Sequence, residues 1–255
     1  MDPHIHVHGG DAVCEIEIRR PETKNALNTS MYAALAEAIE QAETDATVRV
    51  LLLTGQSGFF TSGNDIQDFL KAGDIEPRTL LAPVRRFMQA LSTARKPVLA
   101  AVSGHAIGIG TTMLLHCDLV YASGSAQFAM PFTRLGLCPE FGSSLLLPRL
   151  TGYQQAAALL LQGEMFDAKR ARELGLINEI TETEQLLAMA RGKARALAQL
   201  PPEAIRLSKK LLKQHLEAAL AQRIDEEIAV FAERLRSDEA RAALAAFMSK
   251  SRSRS

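Results

Sequence analysis

The alternation of apolar and polar positions predicts the first elements of the chain. Cys14-Glu15-Ile16-Glu17-Ile18 alternates with period two and predicts a half-exposed strand. Asn28-Thr29-Ser30 offers capping side chains for a helix over about Met31 to Glu43. Val48 to Gly55 is an almost continuous apolar run that stops at a glycine, the pattern of a buried strand. A loop rich in Gly, Ser and Thr follows, Gln56 to Asp65. Residues 66–95 read as mostly helical, with a break near Gly73 to Pro77. Lys96 to Val102 repeats the buried-strand pattern. Asp118 to Ala122 and Ala126 to Ala129 add two short strands, and Thr111 to His116 reads as a helix start. Helices are predicted at Ser143–Leu147, Gln154–Gln162 and Ala168–Leu174. From Glu184 onward the pattern is nearly all helical, broken once at Pro201-Pro202. The alternating tail Ser249 to Ser255 predicts a frayed end.

Strands and helices thus alternate through two thirds of the chain and helices fill the rest, which predicts an α/β fold with a helical C-terminal layer. The length of 255 residues suits one large domain, or one domain with an appendage. Composition narrows the function. Lys+Arg and Asp+Glu are 29 each, Trp is absent and aromatics are 5%, so neither a basic face nor stacking platforms speak for a nucleic-acid partner. No apolar run approaches the roughly 20 residues of a membrane span. The start, Met1 to His8, lacks the pattern of a signal peptide. Cys14, Cys117 and Cys138 form no CxxC pair and an odd total, which points to a reducing, cytoplasmic setting and to no metal knuckle. His4, His6 and His8 would share one strand face, but no carboxylate cluster accompanies them. No GxGxxG or Walker A motif follows a strand.

Chemistry concentrates in two glycine-rich turns at strand ends, Ser62-Gly63-Asn64-Asp65-Ile66 and Gly104-His105-Ala106-Ile107-Gly108-Ile109-Gly110. Glycines there permit backbone geometry that exposes N–H groups, and two converging turns would make an oxyanion hole. Tight connections without function fit the same spacing.

These turns, with Ala126-Gln127-Phe128-Ala129-Met130-Pro131, Leu135-Gly136-Leu137-Cys138-Pro139 and Ala168 to Leu176, resemble the crotonase (enoyl-CoA hydratase/isomerase) superfamily over nearly the whole chain. The resemblance implies a spiral of ββα units over 1–190, a helical trimerisation region over 191–255, and a homotrimer or dimer of trimers. It implies an acyl-CoA thioester as substrate and no cofactor beyond its CoA moiety. By motif position the thioester oxygen would meet the N–H groups of Asn64 and Ile109. Lys24, Ala26, Leu27, Ser62, Asp65, Ile66 and Gly108 would lie along the CoA thioester.

Carboxylates decide the subfamily. Hydratases of this superfamily carry two glutamates, at the positions held here by Thr112 and Phe132, and neither replacement can transfer a proton near neutral pH. A single acid stands instead in Cys138-Pro139-Glu140-Phe141-Gly142, which resembles the peroxisomal-type Δ3,Δ2-enoyl-CoA isomerases, with Cys138 in place of their serine. The resemblance makes Glu140 the base that moves one proton from C2 to C4, as in fatty-acid β-oxidation. Burial among Leu135, Leu137, Cys138 and Phe141 should raise its pKa. A Pro-Glu pair also suits the first turn of a helix, where its replacement would cost within about 1 kcal/mol. Two rivals stay open: a weak hydratase or other CoA-thioester enzyme recruiting Asp65 or Glu164, and a noncatalytic acyl-CoA-binding module.

Overall fold

The computed structural model describes residues 2–56, 58–71 and 77–252. Its strands are β1 (Ile5–Gly10), β2 (Val13–Ile18), β3 (Val50–Gly55), β4 (Phe59–Thr61), β5 (Val98–Val102), β6 (His105–Ile107), β7 (Leu119–Ser123), β8 (Gln127–Ala129), β9 (Phe166–Asp167) and β10 (Glu179–Thr181). Its helices are α1 (Thr29–Thr44), α2 (Ile66–Lys71), α3 (Pro77–Ser92), α4 (Ile109–Thr112), α5 (Ser143–Thr151), α6 (Tyr153–Ala157), α7 (Ala168–Glu173), α8 (Thr183–Ala198), α9 (Pro202–Lys213), α10 (Glu217–Leu235) and α11 (Asp238–Arg252). Two sheets result, ordered β1-β2-β3-β5-β7-β10 and β4-β6-β8-β9. Strand pairs β3-β4, β5-β6 and β7-β8 each put one strand in the large sheet and the next in the small one before the chain turns helical. This is the predicted α/β spiral of ββα units with C-terminal helices.

The buried strands face two cores. On β3 and β5, Leu51, Leu53, Val98, Ala100 and Val102 enter the main core, whereas Val50, Leu52, Leu99 and Ala101 meet α8. Helix α8 answers with Leu186, Ala190, Ala194 and Ala198, one residue every four, a narrow stripe of small side chains. The expected boundary at 190/191 falls inside this helix, which packs on the sheet of the spiral.

Several expectations change. Strand β2 is buried, not half exposed, because β1 pairs with its outer edge and Glu15 is covered by Arg191 at 2.7 and 2.9 Å. Strand β1 carries two histidines and two glycines, and its alternation, Ile5-His6-Val7-His8, is only four residues long. Its hairpin turns through Asp11 and Ala12, both at positive φ, without the Asn-Gly signal such turns usually show. Strands β4 and β6, three residues each, lie in segments read as a loop and a turn, and β9 and β10, two and three residues, lie in segments whose sequence gives no element. Helix α1 begins at Thr29 because the Asn28 side chain caps the Met31 N–H at 2.9 Å. Helix α11 runs on to Arg252 where a frayed tail was expected, and residues 253–255 lie outside the described residues. So do residues 73–76 of the expected break. No helix among the described residues is long and apolar enough to cross a membrane.

Candidate active site

The site begins with a buried asparagine. Asn25 is fully buried at φ +59 in the loop after β2. Its Oδ1 accepts from the Arg20 N–H at 2.7 Å, and its Nδ2 donates to the carbonyls of Gln56 and Phe59 at 2.9 and 2.7 Å. Its own carbonyl accepts from Thr61 Oγ1 at 2.6 Å, and Thr61 Oγ1 accepts from the Gly63 N–H at 3.0 Å. Loop 20–27 is thereby fixed to the end of β4. Leu27 N–H donates to Gly63 at 2.8 Å and Asp65 N–H to Leu27 at 2.9 Å, an isolated parallel bridge that holds Asn64 in place.

Two turns then meet. Gly63 lies at φ +91, and a Cβ on it would stand 2.7 Å from the Ile107 carbonyl, so only glycine lets this turn rest against β6. Gly108, at φ +58 and ψ −120, turns β6 into α4 while its N–H donates to Ala129 at 2.8 Å. Among the described residues, neither the Asn64 N–H nor the Ile109 N–H is taken up by another group. Helix α4 has only four residues, so these two N–H groups, and not a long helix dipole, supply the positive potential.

Glu140 stands in the segment between Leu137 and Gly142, ahead of α5. It does not open that helix, which starts at Ser143, so the first-turn reading fails. Its side chain is 3% exposed and its Oε1 has no hydrogen-bond partner among the described residues. Burial pushes its pKa up to about 8; the nearby Asn64 amide pulls it down in part, and the Glu227 carboxylate adds to the rise. The next residue, Phe141, adopts φ +59, a strained conformation for a bulky side chain. Its ring stacks on His116 with centroids 3.9 Å apart, and its carbonyl lies 2.8 Å from His116 Nε2. Burial lowers the His116 pKa to about 3, so the ring is neutral and Nε2 donates.

Tyr32 of α1 completes the cluster. Its hydroxyl donates a short hydrogen bond to Asn64 Oδ1, and its ring packs against Phe87 at 5.6 Å. Burial, and then the neighbouring Glu140, raise its pKa well above 10, which keeps it a donor. The Asn64 side chain thus stands between the Tyr32 hydroxyl and the Glu140 carboxyl.

The Enoyl-CoA hydratase/isomerase family profile matches residues 8–254. The chain belongs to this family. It is 38% identical to the 1,2-epoxyphenylacetyl-CoA isomerase of Escherichia coli (strain K12) over 232 residues, 88% of this chain and 84% of that one. It is 33% identical to the human enoyl-CoA delta isomerase 2 over 94% of this chain, which spans only 62% of that longer protein. The solved structure of Pseudomonas aeruginosa OdaA superposes with a TM-score of 0.92 at 46% identity, covering 97% of this chain and 99% of that one. Binding of an acyl-CoA substrate is consistent with membership of the enoyl-CoA hydratase/isomerase family.

Two residues at the turns carry no carboxylate. Thr112 is fully buried and Phe132 is 4% exposed, its ring 3.9 Å from where a Cβ on Gly108 would stand. Neither acid of the rival reading stands free at the turns. Asp65 is held by Arg20 Nη1 at 2.7 Å, the same guanidinium that donates to the Ala26 carbonyl at 3.0 Å. Glu164 lies on the surface beside Arg134 at 3.4 Å. Of the other expected residues, Ser62 ties back to the loop through Thr23 and Lys24, at 3.2 and 3.1 Å. Ile66 begins α2. Lys24 is exposed, with Nζ 5.7 Å from the Phe59 ring centroid. Sequence reading missed Arg20, Asn25, Tyr32 and Glu227. Glu227 alone left a usable signal, a carboxylate on the apolar stripe Leu220, Ile224, Phe231 of α10.

Proposed function

We propose that the protein is a Δ3,Δ2-enoyl-CoA isomerase. The observation that carries this reading is one buried carboxyl, its pKa raised to about 8, facing Asn64, whose N–H, like that of Ile109, has no acceptor among the described residues. The thioester oxygen accepts from both N–H groups, which stabilise the dienolate as charge moves onto oxygen; such donors contribute on the order of 3 kcal/mol each. Ionised Glu140 takes a proton from C2, breaking that C–H bond, and the electron pair enters the dienolate. Protonated Glu140 returns the same proton to C4, and the double bond then lies between C2 and C3. A base with pKa near the operating pH suits both halves of this cycle. Phe132 keeps the neighbourhood of Gly108 apolar and, like Thr112, offers nothing to activate water. Lys24 and the backbone of Ala26 and Leu27 would line the CoA path beside Ser62, Asp65, Ile66 and Gly108.

The test is a spectrophotometric assay with 3-hexenoyl-CoA beside crotonyl-CoA. Turnover of the first with hydration of the second slower by about 100-fold or more supports the reading. Comparable rates would refute it. A second reading follows from the Escherichia coli relative, whose name assigns it an epoxidised aromatic acyl group. The rings of Tyr32, Phe87 and Phe141 beside Glu140 would suit such a substrate, and 1,2-epoxyphenylacetyl-CoA is the third arm of the assay.

Assembly as a trimer or dimer of trimers belongs to the same proposal. Leu150, Tyr153, Leu161 and Met165 are exposed around α6, a larger apolar surface than one chain needs open to water. Sedimentation should give a trimer or hexamer at micromolar concentration; a stable monomer there would contradict this.

A further inference from the structure

Glu227 enters the molecule from the C-terminal helices, far in sequence from the turns of the site. It lies on α10 and is 6% exposed. Its Oε2 accepts from the Gly142 N–H at 2.5 Å, and its Oε1 accepts from the Ser144 N–H at 3.0 Å and the Ser144 hydroxyl at 2.5 Å. The thiol of Cys138 approaches the Glu227 carbonyl at 3.8 Å. These contacts bracket Glu140 on both sides. The helix packs as closely as it bonds: a Cβ on Gly142 would stand 2.4 Å from Leu220 and 3.5 Å from Ile224. The turn it holds contains two successive residues at positive φ, Phe141 and Gly142, a conformation that persists only where its surroundings impose it.

Burial raises the Glu227 pKa, while the Ser144 hydroxyl and the Ser144 and Gly142 N–H groups pull it back down by bonding the ionised form. A second buried carboxyl thus lies beside the Glu140 turn. We propose that Glu227 is a positioning residue for the isomerisation, fixing the Glu140 turn with three hydrogen bonds and setting a second carboxyl beside it. The groups facing Glu140 are Tyr32 from α1, Asn64 from the turn after β4, Cys138 from its own segment and Glu227 from α10. Glu227 itself faces Arg223 on its own helix, Cys138 and Glu140. Of these, Glu227 alone is a second carboxyl, and its negative charge adds to the rise in the Glu140 pKa that burial dominates.

This inference rests on Glu140 being the base, so the test reads Glu140 without substrate. Carboxyl carbons of 13C-glutamate protein are titrated by NMR, the Glu140 resonance being assigned by its loss in Glu140→Gln. In Glu227→Gln, which keeps size and removes charge, the Glu140 midpoint should fall by about half a pH unit, because burial and the Asn64 amide both outweigh the Glu227 charge. In Glu227→Asp, which keeps charge and shortens reach, the midpoint should stay with wild type. Turnover of Glu227→Asp should drop about tenfold at unchanged KM, because the turn is displaced and not the thioester site. An unmoved midpoint in Glu227→Gln, or an equal fall in Glu227→Asp, would overturn the electrostatic role. Wild-type kcat in Glu227→Asp would overturn the positioning role, and decides the matter if Glu227→Gln does not fold. Loss of isomerase activity from wild type itself, with the midpoint shift intact, would instead refute the proposed reaction.

Discussion

The two walls of the site are built on opposite principles. On the loop side, Asn25, Arg20, Thr61 and Asp65 bond one another and the backbone through contacts of 2.6 to 3.0 Å. On the base side, Glu140 Oε1, Ser143 Oγ and His116 Nδ1 are buried without a partner among the described residues. The first wall commits these polar side chains to rigidity and holds the Asn64 N–H, which among the described residues has no acceptor, where it would meet a thioester. The second leaves polar atoms unsatisfied, which costs stability and keeps a carboxyl basic. Precision and reactivity are thus assigned to different segments, with the Tyr32-Asn64-Glu140 series joining them.

Breaking the saturated wall should have the largest effect. Asn25→Ala removes the side-chain partner of the Arg20 N–H and of the Gln56 and Phe59 carbonyls, and should cost about 4 kcal/mol in denaturant unfolding. A cost under about 1 kcal/mol would show that this wall is not held as described.

The unsaturated wall should respond with the opposite sign. Glu140 has a folded pKa of about 8 against an ordinary 4.5, so the folded state holds a proton that the unfolded state has lost across that interval. The contribution of Glu140 to stability is therefore full below about pH 4.5 and is lost as pH rises to about 8. Glu140→Gln removes this penalty and should be more stable than wild type by on the order of 3 kcal/mol near pH 9, with the gain vanishing near pH 4. The near-neutral effect expected for a first-turn acid does not apply, because Glu140 is buried ahead of the helix. Melting curves across pH check this; a pH-independent difference would contradict the burial argument.

The joint between the walls should give the smallest effect. Tyr32→Phe removes the donor to Asn64 Oδ1, so the Asn64 amide is held less firmly toward Glu140. Turnover should fall about three- to tenfold, and the acidic limb of the pH–rate profile should move to higher pH, since a donor favouring the ionised base is weakened. A limb that moves the other way would break the proposed series.

Much of this architecture is legible in the chain. The runs over β3 and β5 announce buried strands because their side chains face cores on both sides. The two glycine turns are legible because Gly63 and Gly108 are imposed by local backbone geometry. What escapes reading depends on partners distant in sequence. Asn25 looks like a loop residue until Gln56, Phe59 and Thr61 surround it. Tyr32 looks like one more apolar position of α1 until its hydroxyl finds Asn64. Glu140 itself reads equally well as a helix-start acid, and only the packing of Phe141 and α10 buries it.

The central claim is that one buried carboxyl moves the proton. Its most direct test is the rate of Glu140→Gln with 3-hexenoyl-CoA, measured beside its affinity for an acyl-CoA. The variant should lose at least about 100-fold in turnover, the low end for a missing general base, while acyl-CoA binding stays within about threefold because the Asn64 and Ile109 N–H groups are untouched. Near-wild-type turnover by Glu140→Gln would contradict the account.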